Sequence, residues 1–376
     1  MHDFFIDKLN VAQNHSGKDL PYIGKELLIR VDMETGKQVE TPTKLKLEGS
    51  YSSSLMVRCN GNSVEVYGNP SRFHRIDNLF GYQSFDDCIA VYNQFLLNLG
   101  LPPFTKCQKL MPVQNPENKS VSWLADGAVI RHVDFTKNLV VGSGNEQTYL
   151  RALSTQTIGR AIKPYLYPNG NTVDWFGKNL TQNGSTHRYV KCYVKEIDLL
   201  RHQKKIISSS TDSAQQYYQK VIDFCRQQGV VREEHSFKNR WLKDNCLFAY
   251  GLIKEEQFKP YLTCIDDVRN RLEVNRMDYE TIADQLLEFQ IVKSRQAANA
   301  TQMYYLLWLN GEPFKTNSQF YVHKSRLLEL GIDISIPCDL SRTPVIFKQA
   351  EIIEVKPLQI PDWYKLPDKN HLKLVA

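Results

Sequence analysis

The chain has 376 residues, 42% of them hydrophobic and 23% charged, which excludes a disordered protein and is long enough for two or three domains. Its net charge of +6 permits a polyanionic partner without predicting one. The eight cysteines form no C-x-x-C pair, and we find neither an export signal nor an uncharged run of about 18 apolar residues, so a reducing cytoplasm and no membrane partner are expected.

The first half of the chain predicts antiparallel strands mixed with helices. Alternating or apolar segments over 26–70, separated by turn residues such as Asn60-Gly61, predict hairpins. The next elements are predicted in chain order as a helix over 84–100, a strand over 129–136, a helix over 146–162 and a strand over 172–177.

The second half is predicted to be mostly helical, after a polar linker over 208–216. Helices are predicted within 215–229, 255–273, 279–293, 300–310 and 318–331, and a last strand over 351–358.

The segment HRYVKCYVKEIDL (187–199) has the alternation of a strand. Its period places four polar or aromatic side chains on one face and Val190, Cys192 and Val194 on the other. The first face carries Tyr189, Lys191, Tyr193 and Lys195.

Two other strands carry candidate ligands for a divalent cation. In VIRHVDF, His132 and Asp134 share a face, a spacing that suits two ligands of one metal ion. In SVEVYG, Glu65 lies on the face opposite the valines and is a candidate third ligand. A surface hydrogen-bonded pair at His132 and Asp134, and a solvated strand face at Glu65, are the simpler interpretations.

These elements together predict attack of Tyr193 on a DNA phosphodiester. A phenol has a pKa of about 10, so flanking ammonium groups and a metal ion would be needed to favour the phenolate. The product would be a 5′-phosphotyrosine and a free 3′-hydroxyl. A packing role for the tyrosine and a solubilising role for the lysines explain the same pattern without chemistry.

Several blocks resemble the gene II and gene X replication-associated proteins of filamentous bacteriophages and related plasmids, which are rolling-circle initiators. The resemblance covers most of the chain and is carried by SVEVYGNPSRFHRIDNLFG, VIRHVDFT, TVDWFG, HRYVKCYVKEIDL, VVREEHSFKNRWLKD and PDWYKLP. It implies an α+β fold, with an antiparallel-sheet nuclease domain that has helices on one face (1–207) followed by a mainly helical domain (208–376).

The resemblance also assigns roles to individual positions. The family's nucleophile falls on Tyr193 and its following lysine on Lys195, while Glu65 and Asp134 stand at acidic positions. Asp198 stands where the family has a glutamate and is taken, with His132, as a further ligand of Mg²⁺ or Mn²⁺. Tyr189 is a candidate second nucleophile. Arg232 and Glu234 match an R-x-E pair, which we interpret as a structural ion pair.

Origin recognition is predicted in the helical region. Residues 296–331 have the pattern of a helix-turn-helix, with Gly311 and Pro313 ending the first helix and Gly331 ending the second. Phe320, Leu327 and Leu328 are expected to face the core. The residues predicted to contact DNA are Lys191, Tyr321, Lys324 and Arg326. An ordinary helical hairpin with a basic face is the alternative interpretation of this segment.

The sequence therefore predicts a metal-dependent initiator that nicks origin DNA, lets host helicase and DNA polymerase displace a strand, and later cleaves and rejoins that strand. The alternatives are a non-catalytic origin-binding protein, and a relaxase or transposase with the same chemistry.

Overall fold

The computed structural model describes residues 3–15, 17, 19–114, 121–159, 162–175, 187–208, 210–274, 281–313, 315–338 and 353–367. Over these ranges the strands are β1 (Phe5–Asn14), β2 (Tyr22–Ile23), β3 (Leu27–Val31), β4 (Gln38–Pro42), β5 (Leu45–Glu48), β6 (Ser54–Asn60), β7 (Ser63–Gly68), β8 (Leu110–Gln114), β9 (Val121–Ala125), β10 (Val129–Val140), β11 (Pro164–Leu166), β12 (Thr172–Trp175), β13 (Arg188–Val194), β14 (Val230–Lys238) and β15 (Lys356–Pro357). The α-helices are α1 (Phe85–Asn98), α2 (Glu146–Leu153), α3 (Lys195–Ile207), α4 (Asp212–Gln228), α5 (Asn239–Asp244), α6 (Lys259–Leu262), α7 (Cys264–Val274), α8 (Ile282–Glu288), α9 (Arg295–Leu309) and α10 (Ser318–Glu329).

One large antiparallel sheet organises the molecule. Its strands lie in the order β11-β12-β13-β14-β10-β1-β7-β6-β2, with β5 beside β6, and with β15 beside the end of β10. Two separate hairpins, β3-β4 and β8-β9, complete the described strands. The α+β class predicted from the sequence is therefore confirmed.

The two faces of the central strands differ in chemistry because successive side chains of a strand point to opposite faces. On one face, Val133, Phe135 and Phe237 belong to a large apolar core that includes buried residues of α1. We call the other the polar face: it carries Asp134 and Thr136 of β10, and Glu234 and Ser236 of β14, in register with one another. At one end α3 and α4 cover it through an apolar cluster that includes Val230.

The predicted domain boundary near residue 207 is corrected by β14. This strand comes after the predicted linker but lies in the middle of the sheet, between β13 and β10. Gly229 makes the connection possible, because α4 ends there at a left-handed φ of 63° and β14 begins at the next residue.

Most predicted elements are present, with changed ends. The first predicted helix is α1, capped by the Ser84 hydroxyl, and the predicted helix-turn-helix is α9 and α10. The helix predicted over 146–162 ends at Leu153, and α4 begins inside the predicted linker. The last predicted strand is reduced to Lys356–Pro357 in the part of the segment that the structure describes. Among the described helices, none has the length and apolarity needed to span a bilayer.

Candidate active site

A cleft of about 700 Å³ opens on the polar face where β12, β13 and β14 meet α3 and the segment 69–78. Its walls carry both signs of charge, which is the environment that a phosphodiester and a reacting acid or base require. The lining residues used below are Lys8, Asp174, Lys191, Tyr193, Asp198 and Glu234.

Tyr193 presents its hydroxyl to this cleft from β13. The strand alternates as predicted, with Val190, Cys192 and Val194 buried, and Tyr193 half-buried. The Tyr193 hydroxyl donates a hydrogen bond of 2.6 Å to Oε1 of Glu234 on the neighbouring strand. The Lys191 ammonium lies 2.7 Å from Oε2 of the same carboxylate and 4.8 Å from the centre of the Tyr193 ring.

Burial, and then the negative charge of Glu234, raise the pKa of Tyr193 well above its usual value. Burial alone would raise the pKa of Glu234, but the ammonium groups of Lys191 and Lys8 more than offset this and hold its pKa below the usual value. The ammonium groups therefore stabilise a carboxylate, and not the phenolate that the sequence interpretation required. The phenol keeps its proton, and an ionised base is placed to accept it.

Lys195 lies away from the reactive hydroxyl, which corrects its predicted place on the tyrosine face. The strand ends at Val194, and Lys195 begins α3 with its side chain fully buried. Its ammonium binds Oδ1 of Asn78 at 3.0 Å and Oδ2 of Asp198 at 2.7 Å. Lys195 thus joins the start of α3 to one wall of the cleft.

His132 and Asp134 form the predicted adjacent pair, buried on the polar face. The Nε2 atom of His132 lies 2.6 Å from Oδ1 of Asp134, 2.9 Å from Oγ of Ser236 and 3.0 Å from Nζ of Lys238. Lys8 approaches the other carboxylate oxygen of Asp134 at 3.9 Å. Burial would raise the pKa of Asp134, but His132 and Lys8 keep it below its usual value.

Glu65 is separated from this pair by its own set of partners on β7. Its buried carboxylate accepts from Asn10 at 2.8 Å and lies within 3.1 Å of basic groups of three residues. These residues are Lys44, Arg58 and Arg131.

The four predicted metal ligands do not converge on one point. Glu65 is surrounded by three basic side chains, Asp198 is bound to Lys195, and His132 shares its Nε2 atom with protein groups. Within the described ranges, no group of three or more His, Cys, Asp or Glu side chains is placed to hold a metal ion. The donor set as placed does not fit a single metal centre, so the mechanism below uses none.

Comparison with known proteins identifies the family. The sequence profile of the N-terminal part of the phage replication-associated protein encoded by gene II matches residues 21–256, and that of its C-terminal part matches residues 286–370. The chain belongs to the gene II replication-associated protein family. The corresponding replication-associated protein of Escherichia phage If1 is 38% identical over 325 residues, which cover 85% of this chain and 99% of that relative. No solved structure matches the chain.

The family match agrees with the sheet and confirms the resemblance seen in the sequence blocks. The N-terminal profile runs through β14 to residue 256, as the sheet does, and does not end near residue 207.

Tyr189, the candidate second nucleophile, lies in this family member's cleft opposite Ser236, four residues along β13 from Tyr193. Lys238 stands 5.2 Å from the centre of its ring, and burial raises the pKa of its hydroxyl. Its place is thus beside the His132 and Asp134 pair, whereas Tyr193 is the tyrosine bound to Glu234.

The predicted DNA contacts of α10 are partly corrected. Lys324 is buried, with its ammonium 2.9 Å from Oγ of Ser335 and 3.5 Å from Asp333, so it cannot reach a phosphate. Arg326 is half-buried and donates to Oγ1 of Thr301, whereas Tyr321 is 59% exposed. Phe320 and Leu327 are buried as predicted, and Leu328 is half-buried.

Two acidic groups of the cleft were missed as site residues by the sequence interpretation. Glu234 was assigned to an ion pair with Arg232, but Arg232 binds Asn138 and the carbonyls of Asn78 and Leu79. Asp174 was not singled out. The only sequence signal was the R-x-E match, because β14 is buried on both faces and shows no alternation.

Asp174 makes a testable contribution to stability. It is buried, accepts from the Tyr167 hydroxyl at 3.0 Å through Oδ2, and has no described hydrogen-bond partner at Oδ1. Burial raises its pKa to about 6, so the folded state holds a proton that the unfolded chain has already lost between about pH 4 and 6. Stability should therefore fall as pH rises through this window.

We expect Asp174→Asn to be more stable than the wild type, by an amount that grows by about 1 kcal/mol between pH 5 and pH 8. Urea unfolding at the two pH values measures this difference. Asp223→Asn, at an exposed position on α4, is the control. A gain that is the same at both pH values would contradict the raised pKa.

Proposed function

We propose that the protein is a rolling-circle replication initiator that nicks the plus-strand origin of double-stranded replicative-form DNA. The observation that carries this proposal is the hydrogen bond between Tyr193 and Glu234 in an open cleft. A nucleophile within hydrogen-bond reach of a base that is itself fixed by a third group is the usual arrangement for covalent catalysis, and Lys191 is that third group here.

In the proposed cleavage step, the phenolic oxygen of Tyr193 attacks the phosphorus of the scissile phosphodiester. Its proton passes to Oε1 of Glu234, so a free phenolate, which burial disfavours, is never required. The bond from phosphorus to the 3′ oxygen breaks, and that oxygen takes a proton from water. The products are a 5′-phosphotyrosine on Tyr193 and a 3′-hydroxyl that can prime synthesis.

Rejoining is the same step in reverse. A 3′-hydroxyl attacks the phosphotyrosine and gives up its proton to water, while Glu234 returns a proton to the departing phenolic oxygen of Tyr193. The phosphodiester energy is kept in the covalent intermediate, so the displaced strand can be circularised without a nucleotide cofactor. Host helicase and DNA polymerase would act between the two steps, in the cytoplasm of the bacterial host. A requirement for Mg²⁺ or Mn²⁺ remains part of the proposal and is tested directly.

The test is to incubate the purified protein with the supercoiled replicative form that carries its gene, in Mg²⁺, in Mn²⁺ and in EDTA. We expect open circles, together with a protein attached to the 5′ end, in at least one metal and none in EDTA. Nicking that continues in EDTA would remove the metal from the proposal and leave the nucleophile in place.

Tight origin binding with no cleavage in either metal would favour the non-catalytic origin-binding protein. Cleavage only at a transfer origin or an element end would favour the relaxase or transposase alternative.

A further inference from the structure

Positive groups cross the polar face in successive rows that begin beside Tyr193. Lys191 lies in the row of Thr136, Lys8 in the row of Asp134, and Lys238 in the row of His132. These three positions of β10 are two residues apart, so each row is about 7 Å from the next. The rows lead away from the end that α3 and α4 cover.

The Glu65 cluster continues this series. Glu65 pairs with Ala12 of β1, and Ala12 pairs with Val129 of β10, so the cluster lies beyond the row of His132. Its three cations around one carboxylate leave a net charge of about +2.

In each of these ion pairs the carboxylate is inside and the cation is outside. The side chains of Asp134, Glu234 and Glu65 are 5% exposed or less. Their basic partners are 26–42% exposed: Lys191 at 26%, Lys44 and Arg58 at 31%, Arg131 at 37% and Lys8 at 42%. Burial of the carboxylates directs the cations towards solvent, so a ligand above the face meets positive charge at every row.

We propose that this series, Lys191, Lys8, Lys238 and the cluster of Lys44, Arg58 and Arg131, is the binding track for the single strand that flanks the scissile phosphate. The inference rests on the proposed function, because it gives the strand a path away from Tyr193. A row of cations at near-regular spacing on an open sheet binds a phosphate backbone without reading its sequence. The track therefore supplies affinity, and specificity for the origin comes from elsewhere in the chain.

The test measures binding without chemistry. In the Tyr193→Phe background, the affinity for a fluorescent oligothymidine is measured as NaCl is varied. We expect the double variant Arg58→Gln/Arg131→Gln to lower the salt slope of log Kobs by about 1.4, which is about 0.7 for each lost phosphate contact. Lys44→Gln should lower it by about 0.7 and leaves both guanidinium groups on Glu65, so it serves if the double variant fails to fold.

Lys259→Gln is the matched control. Lys259 is exposed and follows Phe258, which belongs to the core on the opposite face of the sheet, so its slope should not change. Unchanged slopes in the folded Arg58/Arg131 and Lys44 variants would overturn the track, as would a slope that changes with duplex DNA only. Because no cleavage is needed, a failure of the track and a failure of the nicking proposal give separate results.

Discussion

Tyr193→Phe should abolish formation of the covalent DNA adduct and reduce nicking of the replicative form by at least about 10³-fold. The phenylalanine ring keeps the packing beside Lys191 but lacks the oxygen that attacks phosphorus. Binding of origin DNA should be retained, since the lost hydroxyl is bound to Glu234 within the protein. The measurement is denaturing electrophoresis of labelled DNA for the adduct, and the conversion of supercoiled to open circles for the rate.

Tyr189→Phe is the matched control for this change. It removes a second hydroxyl from the same face of the same strand, and it should leave the adduct intact. If Tyr193→Phe still forms an adduct while Tyr189→Phe does not, the nucleophile is Tyr189. Loss in both variants would point to two cooperating tyrosines.

Glu234→Gln should lower the rate of nicking by about 10²–10⁴-fold while leaving Tyr193 in place. The amide can still accept a hydrogen bond from the phenol, but it cannot take up the proton, so the attack must proceed from a phenol whose pKa is already raised by burial. Single-turnover cleavage of an origin oligonucleotide measures the chemical step apart from binding.

The control for this variant is Glu196→Gln, which also replaces a paired glutamate by its amide. Glu196 lies near the start of α3 and pairs at 2.7 Å with Arg226, whose side chain is half exposed, so its loss should not change the rate. If Glu234→Gln cleaves at the wild-type rate, the phenolic proton goes to another acceptor and the proposed base is wrong.

Secondary structure was predictable where the signal is local. The apolar period of α1, with Ser84 before it, and the alternation of β13 are properties of short segments, so a helix and a strand follow from the sequence alone. Strand β14 was missed because a strand buried on both faces does not alternate. The predicted domain boundary failed for the same reason.

Site residues were predictable as faces but not as contacts. That Tyr193 and Lys191 share a face follows from the two-residue period of a strand. That Glu234 lies between them depends on β14 pairing with β13, and Tyr193 and Glu234 are 41 residues apart in the chain. Lys324 shows the same limit, since a basic residue on a helix looks solvent-exposed until Asp333 covers it.

The sequence by itself determined the family, the α+β class, the tyrosine strand and the pair of His132 and Asp134, because each depends on a local pattern or a matching block. The tertiary structure decided the rest. It made Glu234 the partner of Tyr193, buried Lys195 in α3, and surrounded Glu65 with cations. Strand order and register bring distant residues together, and a buried charge takes whichever partner that packing supplies.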